Sequence, residues 1–449
     1  MKMKKWICMF FVAVMMVGLL TGCGSTEKQA APSSPATGTS ESAGSVGTIK
    51  YASMWTESEP QAVWLAGVFA DFEAETGIQV DVSWVGRDVL TQMMTQLGSD
   101  HCPDIVEQDV CELSGALLKE EEQLIMPLDD LLMGPGPEGQ DKFISIFNED
   151  IMDMYKFNGS NYFLPYNFIT SGFFYNKDLF AQVGVNVPST WTEFIDVAEK
   201  FDAAGIPLCA QDNDSMYNLY WLYWAIERVM GPGKLLDACT DVTGKLWKDD
   251  PGYLMAAEII YQAATSNVFE PSYASSLWPA SQNDLALGNE GAILCGSWIP
   301  VELSGMAGDD FKWGFFPFPA VEGGYETGTT QLEGYVIGAS IPTNATNPEL
   351  AKQLLTFMSK KEYAQKFADE AQCMHCRTDV TLPAILADIQ PYLNVATVWH
   401  PTYDNIAAKA SQYAVDVLYP LDDQLLHGEI TAEQFINTIS EATASFYAR

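Results

Sequence analysis

Residues 172 to 210 read GFFYNKDLFAQVGVNVPSTWTEFIDVAEKFDAAGIPLCA, and the periods within them decide the fold. Gly172 to Asn176 is a short apolar and aromatic run of strand type. Thr190 followed three residues later by Glu193 has the spacing of a capping box. The apolar face behind it, Phe194, Val197, Ala198 and Phe201, repeats at helical period. Ile206 to Ala210 then returns to strand character. Strand, helix, strand predicts a crossover unit and a parallel sheet.

The same unit stands nearer the start of the chain. Ile49 to Trp55 predicts a strand, Ser58 a cap with Gln61 three residues on, and Pro60 the first turn of a helix. That helix has Leu65, Val68, Phe69 and Phe72 on one face and Gly77 at its end. Ile78, Val80, Val82 and Trp84 alternate as the next strand. Ala292 to Ser297 adds a strand leading into Trp298, and from Asn347 and Pro348 the chain reads as largely helical. The expectation is an α/β protein of two lobes, each built on a parallel sheet, with a helical C-terminal part. The length also suits two lobes better than one core. Ligands in open parallel sheets sit beyond the carboxyl ends of strands, which is where Trp55, Asp109 and Trp298 fall.

The order of segments resembles the family 1 extracellular solute-binding proteins, the lipoprotein receptors of ATP-driven carbohydrate importers, which include the maltose-binding proteins. Phe163-Leu164-Pro165-Tyr166, Gly172 to Phe180 and Pro188 to Phe194 carry the most specific part of it. Gly288 to Ala292 running to Gly296-Ser297-Trp298, Gly314 to Pro319 with Gly334 to Ile337, and Asn347 to Met358 follow in the family's order. The resemblance implies a type II periplasmic-binding-protein-like fold, two lobes closing on a cleft about a hinge. It places hinge crossings near Ile169 to Gly172, near Gly328 to Thr330 and near Cys373. The domains so implied are a signal peptide over 1–22, a lipid-anchored linker over 23–47, lobe 1 over 48–168 plus 331–372, and lobe 2 over 169–330 plus 373–449.

Upstream, Lys2, Lys4 and Lys5 precede an apolar run from Trp6 to Leu20 that is too short to span a bilayer. It ends in Leu20-Thr21-Gly22-Cys23, which resembles the lipobox of bacterial lipoproteins and makes Cys23 the expected lipid anchor. Gly24 to Gly47, rich in Ser, Thr, Ala, Gly and Pro, lacks an apolar face to bury, so it reads as a tether with a mean span of about 27 Å. The net charge is −36, and the leader contributes only lysines to it, so the body is more acidic still. Nucleic acid is thereby excluded as a partner. Past Cys8 and Cys23, seven cysteines remain, an odd set without a repeating framework, which favours buried thiols over a disulfide scaffold.

A sugar presents flat apolar faces edged with hydroxyls, so its site needs aromatic platforms with carboxylates and amides at the rim. Trp298 is the leading candidate, with a core tryptophan as the alternative. Trp55 with Glu57 follows the first strand, where interlobe packing would also explain an indole. Asp109 could accept sugar hydroxyls or be a solvated loop acid, and Tyr166 with Asn167 could face the cleft or pack at the hinge. In Asp212 to Trp224, helical spacing sets Tyr217, Tyr220, Trp221 and Trp224 on one stripe. Such a stripe suits a core as well as a cleft, and Asp212, Tyr217 and Trp221 are the residues expected at the ligand. Glu333 and Tyr335, beside the second crossing, complete the set.

These readings imply a receptor, not an enzyme, that captures a sugar or oligosaccharide and delivers it to permease subunits with a separate ATPase. It would be a monomer without cofactor or catalytic residues, held by the lipid on Cys23 at the outer face of a Gram-positive cell membrane. The alternatives are a surface glycoside hydrolase, which would need two carboxylates at one bond, and a sugar-sensing receptor without transport. Cys373-Met374-His375-Cys376 has redox or half-zinc-site spacing, but the other histidines supply no second half, and no metal is expected.

Overall fold

The computed structural model describes residues 47–97, 99, 101–119, 121–325 and 330–449. The leader, Cys23 and nearly all of the tether lie outside the described residues, as does Gly328. Two sheets organise the chain. The first is six-stranded in the order β11-β4-β10-β3-β1-β2, with β1 Thr48–Ser53, β2 Gln79–Trp84, β3 Ile105–Asp109, β4 Leu164–Ile169, β10 Tyr335–Ser340 and β11 Met374–His375. The second is four-stranded in the order β6-β7-β5-β8, with β5 Ser171–Asn176, β6 Cys209–Ala210, β7 Ala292–Gly296 and β8 Trp313–Phe316. One hydrophobic core packs on the first sheet and continues onto one face of the second through Phe174, Ile293, Cys295 and Phe315, and a second core packs on the other face of the second sheet through Phe173, Leu294 and Phe316.

The first crossover forms as its pattern predicts: β1 and β2 are adjacent and parallel around the helix Pro60–Thr76, whose Leu65, Val68, Phe69 and Phe72 are buried. Its start differs. Ser58 makes no cap; Glu59 precedes the helix, and its carboxylate receives the N–H of Thr56 at 2.7 Å. Gly77 ends the helix at φ 73°, a left-handed conformation that glycine adopts without strain.

The second unit corrects the expectation of a parallel sheet. The capping box at Thr190 and Glu193 is present, and Phe194, Val197, Ala198 and Phe201 are buried as the period requires. However, β5 runs antiparallel to β7 and β8, whereas β6 runs parallel to β7, so β5 and β6 oppose each other. The connection holds two helices, Lys177–Val183 and Trp191–Ala203, and the second reverses the chain once more. A single-helix crossover was the wrong template. The first sheet is mixed too, since β10 lies antiparallel between β3 and β4.

The chain passes from the first sheet to the second through one residue, Thr170, between β4 and β5. It returns after β8 by way of β9 (Gln331–Glu333), which pairs in parallel with β12 (Val398–His400), and enters β10. β11 lies on the edge of the first sheet against β4, and the later helices Tyr419–Leu426 and Ala432–Tyr447 pack into the second core. Among the described residues no helix is long and apolar enough to cross a membrane. The fold is α/β, with two lobes facing each other.

Candidate ligand cleft between the sheets

The carboxyl ends of β1 and β7 face a cleft of about 690 Å³. β1 delivers Trp55 to it. β7 delivers Trp298, two residues past Gly296. A Cβ on Gly296 would stand 1.9 Å from the Trp298 ring, so only glycine lets the indole fold back across the strand end. Trp298 is half-buried, and Tyr335 meets it edge-on at 6.2 Å between centroids. Tyr217, in the first turn of the helix Ser215–Met230, also lines the cleft and lies beside the Trp298 indole.

A buried network fixes Trp55. Its indole N–H donates to the Tyr166 hydroxyl at 2.7 Å, and that hydroxyl donates to Glu107 at 2.8 Å. Tyr51 donates to the same carboxylate at 2.6 Å, and Ser53 to its other oxygen. Tyr166 itself is only 1 % exposed, so it acts beneath the platform. From the solvent side Arg87 caps the Trp55 ring at 4.6 Å while its guanidinium binds Glu59 at 2.5 Å and the Met54 carbonyl at 2.7 Å.

Burial pushes the Glu107 carboxyl up to about 7, with Ser53, Tyr51 and Tyr166 pulling it back. Asp109 is also raised to about 7, by burial and then by the charge of Glu112. The folded protein therefore keeps protons near neutrality that the unfolded chain releases around its ordinary carboxyl values, and stability falls as pH rises toward and through 7. His375 and His400, both held low by burial, act in the opposite sense only below the ordinary histidine value of 6.5. Between about pH 6.5 and 8 the melting temperature is thus expected to fall, and Glu107→Gln to flatten the fall. A wild-type melt that rose across that window would contradict the assignment.

The structure gathers Trp55, Tyr217, Trp298 and Tyr335 at the cleft and places the other candidates elsewhere. Asp109 caps the helix Val110–Leu117, accepting the Cys111 N–H at 2.5 Å, with the Tyr335 hydroxyl beside it. Glu57 is exposed outside the lining, between Thr56 and Ser58, which belong to it. Glu333 is fully buried opposite His400 in the β9–β12 pair. Trp221 is also fully buried, ringed by Phe173, Phe194 and Phe269 in the second core. Asp212 is buried and holds a loop: one oxygen receives the Ser276 hydroxyl at 2.6 Å and the Ser281 N–H at 2.9 Å.

Sequence reasoning missed Gln61, Arg87, Trp278 and Glu302 in the lining, and it named Asn167 only as a companion of Tyr166. The Asn167 Oδ1 is buried without a hydrogen-bond partner. The seven cysteines are free thiols, all buried save the half-buried Cys376. Cys373 receives the Gln61 amide at 3.3 Å, and His375 Nδ1 the N–H of Arg377 at 3.0 Å.

Residues 55–365 match the model of the family described as bacterial extracellular solute-binding protein. The chain belongs to this family. The solute-binding protein is 25 % identical over 315 residues, 66 % of its length and 68 % of the other's, to a Brucella abortus protein whose name provisionally assigns it as a binding protein. A solved structure from work on xylan utilization by Caldanaerobius polysaccharolyticus superposes with a TM-score of 0.71 at 18 % identity, covering 88 % of this chain and 99 % of that one. RafE of Streptococcus pneumoniae gives 0.70 at 19 % identity, over 90 % and 98 % of the two chains. A chitin oligosaccharide binding protein gives 0.69 at 18 %, over 90 % and 100 %. At these identities the likeness is one of fold: the solute-binding protein shares their two facing lobes.

Proposed function

We propose that this solute-binding protein is the carbohydrate receptor of an ATP-driven importer, tethered outside the cell through lipid on Cys23. In this reading lobe 1 is residues 48–168 plus 331–372, extended past the expected boundary by β11 at the edge of its sheet, and lobe 2 is residues 169–330 with the later helices Tyr419–Leu426 and Ala432–Tyr447; their closure captures the sugar for a permease with a separate ATPase. The observation that carries this is the cleft itself, with indole and phenol rings from both sheets around polar rim groups. Aromatic platforms suit the apolar faces of a pyranose, and amide and carboxylate oxygens suit its hydroxyls. Asn167 supports the reading as well. A buried amide oxygen left unpaired costs about 1–3 kcal/mol, and a ligand hydroxyl would satisfy it. Ligand would favour the closed form only by binding it better than the open one. RafE was also solved with raffinose, and the chitin oligosaccharide binding protein is named for its ligand.

A thermal-shift screen of the mature protein over mono- and oligosaccharides, amino acids and polyamines tests the reading. At least one sugar is expected to raise the melting temperature in a concentration-dependent way, without release of reducing ends. A shift with an amino acid or polyamine and with no sugar would overturn the substrate class. Released reducing ends would turn the receptor into a hydrolase.

A further inference from the structure

Trp278 is the tryptophan that the proposed reading leaves without a role. At 51 % exposure it is the most open indole among the described residues, yet it lines the cleft. A lone exposed apolar side chain ordinarily needs no explanation. This one sits on a segment tied down on both sides. A single buried oxygen of Asp212 accepts from Ser276, two residues before Trp278, and from Ser281, three residues after it. The Asn213 N–H donates to the Ser276 carbonyl at 2.9 Å, and the Ser281 hydroxyl lies 3.2 Å from buried Glu290. The ring is therefore presented to the cleft on a pinned support, so little loop ordering remains to oppose binding.

The inner indoles have less face to offer. Trp55 is 5 % exposed, its N–H is engaged by Tyr166 and its ring is capped by Arg87. Trp298 is half-buried, with Tyr335 against it. Trp278, at 51 % exposure in the same lining, keeps far more of its ring free for a ligand. The cleft, in the middle of the roughly 300–1,000 Å³ range of pockets that take drug-sized ligands, is larger than one ring requires. The charge is legible too. Arg87 is already neutralised by Glu59, and Glu302 adds a further carboxylate whose Oε1 takes the Gln282 amide at 3.0 Å. Nothing in the lining recruits an anion.

We infer that Trp278 is the platform for a second sugar ring, and that the ligand is an uncharged glycan of at least two rings, one against Trp298 and the next over Trp278 at the mouth. This rests on the carbohydrate reading. It adds the length and charge of the ligand and makes Asp212 a positioning residue for the outer ring.

The test is a titration of wild type, Trp278→Ala and Trp278→Phe with glucose, galactose and xylose, and with maltotriose, raffinose and xylotriose, alongside glucuronic acid. For the sugar that binds, the oligosaccharide is expected to bind wild type at least about tenfold tighter than its monosaccharide. Trp278→Ala should erase that gain, weakening the oligosaccharide at least about tenfold and the monosaccharide far less, and Trp278→Phe should keep most of it. The Trp278 fluorescence, taken as wild type minus Trp278→Phe, should shift to the blue with the oligosaccharide and stay unmoved with the monosaccharide. A chain-length gain that survives Trp278→Ala, equal affinity for one ring and several, or preferential binding of glucuronic acid would overturn the inference and leave the carbohydrate reading standing. Binding of no carbohydrate at all would overturn both.

Discussion

Trp298→Ala is expected to weaken binding of the cognate sugar by roughly a hundredfold, the scale of a central aromatic hot spot. The ring has the three attributes of such a residue. It lies two residues past the end of β7, Gly296 makes room for it, and Tyr217 and Tyr335 both lie against it. Because it is half-buried, its removal takes less surface from the core than a fully enclosed tryptophan would, so the melting temperature without ligand should move by only a few degrees. The ligand-induced rise in melting temperature should nearly vanish at concentrations that saturate wild type. Calorimetric titration and melts on the same preparations check both halves. Wild-type affinity in the alanine variant would remove Trp298 from the site.

How much of this cleft could be read from the chain depended on whether a signal was local. Trp55 and Trp298 were legible because strand ends are marked by where an apolar run stops, and the ends of β1 and β7 point at the cleft. The buried faces of the helices Pro60–Thr76 and Trp191–Ala203 were legible because helical period is written in consecutive residues. The sense of β5 against β6 was not, since a second helix in the connection adds one more reversal of the chain and the period of each helix is blind to that. Arg87 and Glu59 are 28 positions apart, and nothing in either neighbourhood announces their ion pair. Trp278 belongs to no periodic segment, so only the cleft reveals it. Asp109 carried a cap signal that its place at a strand end obscured: an acid whose Oδ1 takes the N–H groups two and three residues on.

Tyr217 and Trp221 mark the limit of periodicity most sharply. They are one turn apart on the same stripe of the helix Ser215–Met230, so sequence alone gives them one fate. The helix enters from the cleft edge and runs into the second core. Tyr217, in its first turn, still faces the cleft, while Trp221 is enclosed by Phe173 at 5.5 Å, Phe269 at 5.0 Å and Phe318 at 6.3 Å. The direction of a helix axis relative to a cleft is a tertiary fact, and no spacing encodes it.

Trp221→Ala should therefore behave as the inverse of Trp298→Ala. Deleting a fully buried indole costs about 3–5 kcal/mol in lost burial and residual cavity. The indole N–H also donates to Gln211 Oε1 at 2.8 Å, and the variant strands that oxygen in a buried site. The melting temperature is expected to drop by on the order of 10 °C, whereas monosaccharide affinity, measured well below the melt, should stay within about threefold of wild type. Trp221→Phe, which keeps a ring in the aromatic cluster and loses only the N–H donor and part of the volume, should recover more than half of the lost stability. The decisive comparison is between the two readouts on one protein. A collapse in affinity with an unchanged melt would put Trp221 at the ligand and move the second lobe's core away from the helix Ser215–Met230. A fallen melt with affinity intact makes Trp221 the floor that holds the helix, and Tyr217 its only contribution from that stripe to the cleft.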